Sequence, residues 1–178
     1  MIKENLYIKE NSLSEKVCEE IITRFERDES RHEGVVGNGR VSKEMKQTTD
    51  LHISSFDHWK DIDTVLYEEL KNHLKIYTDS KIIDEQSYFP SSIADSGYQI
   101  QKYDKESGFF NWHTDSTPYD VNGNPMSERY LVFMWYLNTL KKGGETEFKD
   151  FNISPECGKL VMFPATWEWP HKANVPVS

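Results

Sequence analysis

The sequence predicts a mainly β domain, an antiparallel sandwich or jelly roll, with two helices packed outside one sheet. Two amphipathic patterns of helical period lie in the first half of the chain. From residue 98 onward, short aromatic and β-branched runs alternate with Gly, Pro, Asn and Asp, and no helical pattern separates them. Strands in such a series pair antiparallel, and helices then cover one sheet. We expect a single domain over 1–178, helical from about 12 to 78 and β from about 98 to 178.

The first helix is expected from Ser12 to about Asp28. Ser12 and Glu15 have the spacing of a capping box, in which each side chain binds a free backbone amide at the start of the helix. Apolar residues then recur every four positions, and Cys18 falls on the same side, where a small core residue fits. These residues are Leu13, Val17, Ile21 and Phe25.

The segment 31–49 has three glycines, many polar residues and no sustained period. It is longer than an ordinary connection, so it is expected to be either disordered or a functional lid. A second helix is predicted from about Asp57 to Thr78, because apolar residues return there with helical spacing. They are Ile62, Val65, Leu66, Leu70, Leu74 and Tyr77.

Two features of the β region bear on a site. Thr117 to Ser127 contains Gly and Pro and is predicted to form a long hairpin loop. On the strand Arg129–Asn138, alternation places Val132, Met134 and Tyr136 on one face.

Composition limits the partners and the setting. The chain has 21 Lys plus Arg and 30 Asp plus Glu, a net charge of −9, which makes nucleic acid an improbable ligand. No apolar run approaches the length of a membrane span, and the N-terminus lacks the apolar core of a signal peptide. Cys18 and Cys157 form no CxxC motif. We therefore expect a cytoplasmic protein without a membrane partner.

Three residues form a candidate metal centre. His113 and Asp115 lie two apart, so they point to the same side of an extended segment, and His171 follows a later apolar run. Two imidazoles and one carboxylate occupy one face of an octahedral Fe(II) and leave positions open for an organic co-substrate and dioxygen. These residues are therefore both the metal ligands and the catalytic candidates. A zinc hydrolase uses similar ligands and is the alternative.

Neighbouring polar and aromatic residues are weaker candidates. Asp50 and His52 form a reversed acid-x-His pair without a third ligand nearby, and we expect no site there. Trp112, Trp167 and Trp169 flank the ligands in sequence. They either shield the metal and hold a substrate ring, or they fill the end of the barrel.

Motifs around these ligands resemble the 2-oxoglutarate/Fe(II)-dependent oxygenases, specifically their prolyl 4-hydroxylase-like branch. Tyr103 stands ten residues before His113, and Arg129 precedes Tyr136-Leu-Asn by the family spacing. Gly-Gly-Glu-Thr-x-Phe occurs at 143–148 and Pro-x-x-Gly-x-x-x-x-Phe at 155–163. The stretch 13–25 is similar to the opening helix of the family.

This resemblance implies a double-stranded β-helix and a hydroxylase that uses Fe(II), 2-oxoglutarate and O2, with ascorbate as an optional reductant. Tyr103, Tyr136 and Thr146 would line the co-substrate pocket, the two phenols offering hydroxyls to the carboxylates of 2-oxoglutarate. The implied substrate is a prolyl residue in a peptide or protein, or free proline. Another side chain or a small metabolite, and a sensor or binding domain without turnover, stay open as alternatives.

The sequence departs from the family at one point. The family has a Lys or Arg nine or ten residues after the distal histidine, where it pairs with the far carboxylate of 2-oxoglutarate. Here that position falls beyond Ser178, and we expect the chain to be a shortened version of a longer protein. Arg129 and Lys159 are the alternative cations, whereas Lys172 is adjacent to the ligand and is expected to point away from the metal.

Overall fold

A computed structural model describes residues 5–37, 39–79, 94–119, 125–127 and 129–178. The helices are α1 Glu15–Arg27 and α2 Lys60–Asp79. The strands are β1 Tyr7–Lys9, β2 His32–Glu33, β3 Lys46–Gln47, β4 Thr49–His52, β5 Gln99–Lys102, β6 Phe109–His113, β7 Thr117–Tyr119, β8 Pro125–Ser127, β9 Leu131–Trp135, β10 Thr146–Phe148, β11 Asn152–Ile153, β12 Leu160–Pro164 and β13 His171–Ala173.

Helix α1 begins two residues later than the capping box predicts. Ser14 is the N-cap, and its hydroxyl accepts a hydrogen bond from the Val17 amide at 3.3 Å. Ser12 instead donates to Glu69 of α2 at 2.8 Å, so its side chain joins the two helices. The predicted Ser12 capping box is therefore wrong, because a tertiary contact takes the Ser12 hydroxyl. The helix ends at its predicted place, with Asp28 as the C-cap.

Helix α2 agrees with its prediction, since a single helical turn over 57–59 leads directly into it. Both helices pack on one apolar cluster that includes Cys18, which is fully buried as predicted. Burial, followed by the nearby Cys157 thiol, raises the pKa of Cys18 to about 12, so the thiol stays protonated at neutral pH. The buried members of the cluster are Leu13, Cys18, Ile21, Phe25, Leu51, Ile53, Trp59, Ile62, Leu66, Leu70, Tyr77, Tyr98, Leu160 and Met162.

The described strands form antiparallel sheets that confirm the predicted jelly roll. One sheet has the order β11-β10-β13-β6-β3. Two three-stranded sheets, β1-β12-β9 and β2-β4-β5, both contribute to the cluster under the helices. Their end strands approach at Tyr98, whose ring centroid lies 5.7 Å from that of Phe133. Strands β7 and β8 pair as the predicted hairpin, although residues 120–124 of that loop lie outside the described residues.

Strand β9 has the predicted alternation. Val132, Met134 and Tyr136 pack on a second apolar cluster inside the barrel, formed by Leu6, Phe148, Ile153, Val161, Phe163 and Trp169. The intervening residues Leu131, Phe133 and Trp135 pack on the cluster under the helices instead. Tyr136 therefore faces the barrel interior, as its parity requires.

The segment 31–49 contains short strands. They are β2, which pairs with β4, and β3, which extends the five-stranded sheet by pairing with β6, and a bridge joins Val36 and Arg40. Lys46 on β3 is 3% exposed. The end of this segment is thus part of the sheet that carries the candidate metal ligands, and a lid role for residues 31–49 stays a prediction.

Candidate metal centre

Two adjacent antiparallel strands bring the candidate ligands together. His113 at the end of β6 lies directly opposite His171 at the start of β13, and Asp115 follows two residues after His113. The imidazole centroids are 4.3 Å apart, and His171 Nε2 lies 3.2 Å from Asp115 Oδ2. One ligand atom from each of the three residues lies within 4.8 Å of the others.

A bulge in β6 turns His113 inward. From His171 to Ala173 the chain advances two residues, whereas the paired positions on β6, His113 and Phe110, are three apart. The extra residue breaks the strict alternation, so Phe110 and His113 come to the same side of the strand. Their rings stack with centroids 3.5 Å apart, and this contact fixes the plane of the imidazole.

Backbone carbonyls orient both imidazoles. His113 Nδ1 lies 2.7 Å from the carbonyl oxygen of Asn111, and His171 Nδ1 lies 3.0 Å from that of Trp169. A carbonyl only accepts, so each Nδ1 must carry a hydrogen, which leaves each Nε2 as the nitrogen that can bind a metal. Metal-ligating histidines are held in this way by groups behind them.

The charge states also suit a divalent cation. Burial, and then the neighbouring His171, lower the pKa of His113 to about 4, so its imidazole is neutral at physiological pH. Burial raises the pKa of Asp115, but hydrogen bonding and charge from His171, with smaller effects of His113 and Arg129, outweigh it and hold that pKa below its usual range. Two imidazoles and one carboxylate are the ligand set that Fe(II) oxygenases use, so the residues fit the metal.

The two predicted co-substrate tyrosines both lie near the triad. The Tyr136 hydroxyl lies 2.6 Å from Thr146 Oγ1, and Thr146 is 5% exposed. Burial, followed by the charges of Asp50 and Asp115 and by Tyr136, raises the pKa of Tyr103 above its usual range. The Tyr103 phenol thus lies within electrostatic reach of both carboxylates and of the second tyrosine. Their contact with 2-oxoglutarate stays a prediction.

The three candidate cations have different surroundings. Arg129 Nη1 lies 3.3 Å from Asp115 Oδ1, at the end of β9 away from Tyr136. Lys159 pairs with Glu156 at 2.8 Å and donates to the Ser154 carbonyl at 3.1 Å, which accounts for its burial.

Lys172 points away from the metal ligands, as its parity predicts. Its ammonium lies 3.1 Å from Glu147 Oε2 and 5.3 Å from the centre of the Trp112 ring. Of the other two tryptophans, Trp167 is 78% exposed, whereas Trp169 is 4% exposed and belongs to the core inside the barrel. Trp169 therefore fills the barrel, and Trp112 packs against a lysine.

Sequence reasoning missed a buried ion pair beside the triad. Lys46 Nζ lies 2.6 Å from Asp50 Oδ2, and the two side chains are 2% and 0% exposed. Thr48 donates to Oδ1 of the same carboxylate at 2.7 Å, and Gln99 donates to Oδ2 at 2.9 Å. The Lys46 ammonium also lies 5.1 Å from the centre of the Phe110 ring, the ring that stacks on His113.

We expected no site at Asp50, but its carboxylate is the common partner of Lys46, Thr48 and Gln99. Its partner His52 is exposed and stacks on His32, with ring centroids 6.2 Å apart. Burial, followed by His32, lowers the pKa of His52. The sequence held one signal for this position. The spacing Asp50-x-His52 puts both side chains on the face of β4 opposite Leu51, away from the apolar cluster under the helices.

An antiparallel jelly roll with two histidines and one aspartate on adjacent strands defines the class of metal-dependent oxygenases. Residues 98–178 match the model of the 2OG-Fe(II) oxygenase superfamily, the family that the motifs of the sequence resemble. This match supports the prediction of an Fe(II)- and 2-oxoglutarate-dependent oxygenase. By sequence, no curated protein matches the chain significantly.

Several solved structures share the fold. A Pseudomonas putida prolyl-4-hydroxylase is 14% identical, with a TM-score of 0.67 over 98% of this chain and 87% of that one. A Trichoplax adhaerens prolyl hydroxylase, solved with a peptide fragment of the hypoxia inducible factor oxygen degradation domain, is 13% identical, with a TM-score of 0.69 over 99% and 80%. The viral collagen prolyl hydroxylase of Paramecium Bursaria Chlorella virus-1, in complex with 2-oxoglutarate, is 16% identical, with a TM-score of 0.64 over 99% and 90%.

These TM-scores show that the chain shares the fold of the three prolyl hydroxylases. Among the described residues, no helix is long and apolar enough to cross a membrane.

Proposed function

We propose that the protein is a 2-oxoglutarate-, Fe(II)- and O2-dependent hydroxylase that oxidises a prolyl residue in a peptide or protein. One observation carries the proposal: the ligand atoms of His113, Asp115 and His171 converge on one point between two adjacent strands. The similarity of the whole described fold to prolyl hydroxylases supports the prolyl substrate.

The protein residues would act mainly by holding and orienting. His113 and His171 would bind the metal through Nε2, since their Nδ1 atoms donate to backbone carbonyls. Asp115 would neutralise one of the two positive charges. The Phe110 ring covers one face of the His113 imidazole and keeps water from it. Tyr136 and Thr146, whose hydroxyls lie 2.6 Å apart, would hydrogen-bond a carboxylate deeper in the barrel.

Fe(II) and 2-oxoglutarate, held by these residues, would supply the oxidising chemistry, which consumes O2 and yields hydroxylated substrate, succinate and carbon dioxide. Arg129 is held beside Asp115 and is half-exposed, so it lies between the metal centre and solvent. Ascorbate as a reductant and a cytoplasmic setting stay predictions of the sequence.

The test measures succinate and hydroxyproline with Fe(II), 2-oxoglutarate and a proline-containing peptide, against a peptide with alanine in place of proline. Asp115→Asn should abolish both products, because the amide leaves the site without its negative ligand. The matched control is Asp150→Asn, which changes an exposed carboxylate and should leave the rate unchanged.

Other outcomes assign other functions. The wild-type protein could produce a basal level of succinate that Asp115→Asn removes but that neither peptide increases. This result would refute the prolyl substrate and favour another side chain or a small metabolite. Metal binding without any succinate would refute turnover and favour a sensor or binding domain.

A further inference from the structure

A row of polar side chains lines the inner face of β5. Gln99 and Gln101 alternate along the strand, and Tyr103 follows at the same spacing, so the three lie on one face. Ile100, between the glutamines, packs on the cluster under the helices. The row therefore faces away from the helices. It runs from the buried Asp50 to the phenol of Tyr103, and we call these four residues the Asp50 row.

The charge of Asp50 fixes the direction of every hydrogen bond in the row. Asp50 is paired with the Lys46 ammonium, so its carboxylate only accepts, and Gln99 must present its amide nitrogen to Oδ2 at 2.9 Å. The carbonyl oxygen of Gln99 then accepts from Gln101 Nε2 at 3.2 Å. The carbonyl oxygen of Gln101 is left to accept from the Tyr103 hydroxyl at 2.9 Å.

The single hydroxyl hydrogen of Tyr103 is thereby used inside the protein. Its phenolic oxygen keeps lone pairs, so toward a ligand Tyr103 acts as an acceptor. Reversing the row would require both glutamine amides to turn and would place a carbonyl oxygen against the Asp50 carboxylate. That carboxylate is 0% exposed, so water cannot replace the lost donor.

Tyr136 differs from Tyr103 because no charge fixes its hydrogen. Tyr136 and Thr146 are two hydroxyls 2.6 Å apart that share one hydrogen bond. Two hydroxyls carry two hydrogens, so the pair retains one, which can donate to a ligand or to the Ile153 carbonyl oxygen 3.5 Å from the Tyr136 hydroxyl. A carboxylate only accepts hydrogen bonds, so it can bind the hydroxyl pair of Tyr136 and Thr146. It does not match the oxygen of Tyr103, which is also an acceptor.

We propose that Tyr103 accepts a hydrogen bond from an N–H group of the substrate, while Tyr136 with Thr146 keeps the role that the family resemblance implies, donation to a carboxylate of 2-oxoglutarate. This inference rests on the proposed function and departs from the expectation that both phenols donate to the co-substrate. Asp50 and the two glutamines are positioning residues. The N–H group belongs either to the ring of free proline or to the backbone of a peptide.

Calorimetric titration of 2-oxoglutarate into the Mn(II)-loaded protein tests the division between the tyrosines. Tyr136→Phe should weaken binding about tenfold, which corresponds to about 1.4 kcal/mol for one hydrogen bond. Tyr103→Phe should leave the Kd within about twofold of the wild type. The control Tyr67→Phe changes a half-exposed phenol on α2 and should have no effect. A loss in Tyr103→Phe equal to that in Tyr136→Phe overturns the proposal.

Substrate kinetics test the accepting role. The probes are L-proline and the peptide Gly-Pro-Gly. For whichever probe is turned over, Tyr103→Phe should raise its KM about tenfold. The KM for 2-oxoglutarate should stay constant. The effect on L-proline alone would identify the ring nitrogen, and the effect on the peptide alone would identify a backbone amide. Unchanged KM for both probes in an active variant overturns the proposal.

Neutron diffraction from metal-free crystals tests the hydrogen direction without either ligand. Deuterium between Tyr103 Oη and Gln101 Oε1 supports the accepting role, and deuterium turned toward Asp115 overturns it. A wild-type protein that binds no 2-oxoglutarate with Mn(II) would refute the proposed function, whereas the neutron result would still decide the direction of the row.

Discussion

Replacing Lys46 by methionine should be among the most destabilising single changes beside the metal centre. The ammonium and the Asp50 carboxylate are 2.6 Å apart, with side-chain exposures of 2% and 0%. With an effective dielectric constant of about 20, their attraction is about 6 kcal/mol before desolvation is counted. Lys46→Met removes that attraction and leaves Asp50 buried without a countercharge, which typically costs about 3–5 kcal/mol.

Urea unfolding of the metal-free protein, read by far-UV circular dichroism, measures this cost, and thermal unfolding should show a Tm lower by about 6–20 °C. The matched control is Lys43→Met. Lys43 pairs with Glu33 at 3.1 Å, but the two side chains are 68% and 50% exposed, so its loss should cost at most about 1 kcal/mol.

A double variant separates the ion pair from other effects of the substitutions. Lys46→Met combined with Asp50→Asn should cost less than the sum of the two single changes, by about 2 kcal/mol or more, because neither charge is then left alone. A Lys46→Met variant as stable as Lys43→Met, or strict additivity in the double variant, would refute the reasoning.

Further predictions concern pH, a cap and two glycines. Burial and His171 lower the pKa of His113 to about 4 in the folded protein, against about 6.5 in an unfolded chain. The unfolded chain thus binds more protons between these values, so the urea midpoint of the metal-free protein should rise from pH 4 to about 6.5 and then level off, and His113→Gln should flatten that rise. Ser14→Ala should cost about 1 kcal/mol in urea unfolding, because the first turn of α1 loses its capping hydroxyl. Gly158 and Gly39 both have φ near +77°, but a Cβ at Gly158 would lie 2.1 Å from a backbone oxygen, whereas Gly39 has open space. Gly39→Ala should therefore cost about 1–2 kcal/mol and Gly158→Ala about 3 kcal/mol or more, and equal urea midpoints would contradict this.

The parts of the fold that follow from local alternation could be predicted from the sequence. The period-two pattern of β9 placed Tyr136 inside the barrel, and the spacing of His113 and Asp115 on an extended segment placed both toward one metal. Each of these conclusions needs only the direction of a side chain relative to its own backbone.

Features that depend on distant partners could not be predicted in the same way. Ser12 has the local form of an N-cap, yet its hydroxyl contacts Glu69, 57 residues later. Asp50 was given no site because its partner Gln99 lies 49 positions further on. Its nearer partner Lys46 is four positions away, but it lies in a segment without a sustained period, so no pattern indicated that its side chain faces inward. Only the folded sheets show that these residues meet.

The bulge in β6 lets the metal centre accept one extra residue between Phe110 and His113. Three residue steps on β6 match two on β13, and the bulge keeps both rings on one face despite the extra residue. Deleting Trp112, which is 41% exposed and ligates nothing in the proposed site, would leave Phe110 and His113 two residues apart, a spacing that regular alternation also places on one face, so the imidazole should keep its direction. A graft of this triad onto a regular pair of strands in another scaffold would accordingly need the stacking aromatic residue two positions before the first histidine.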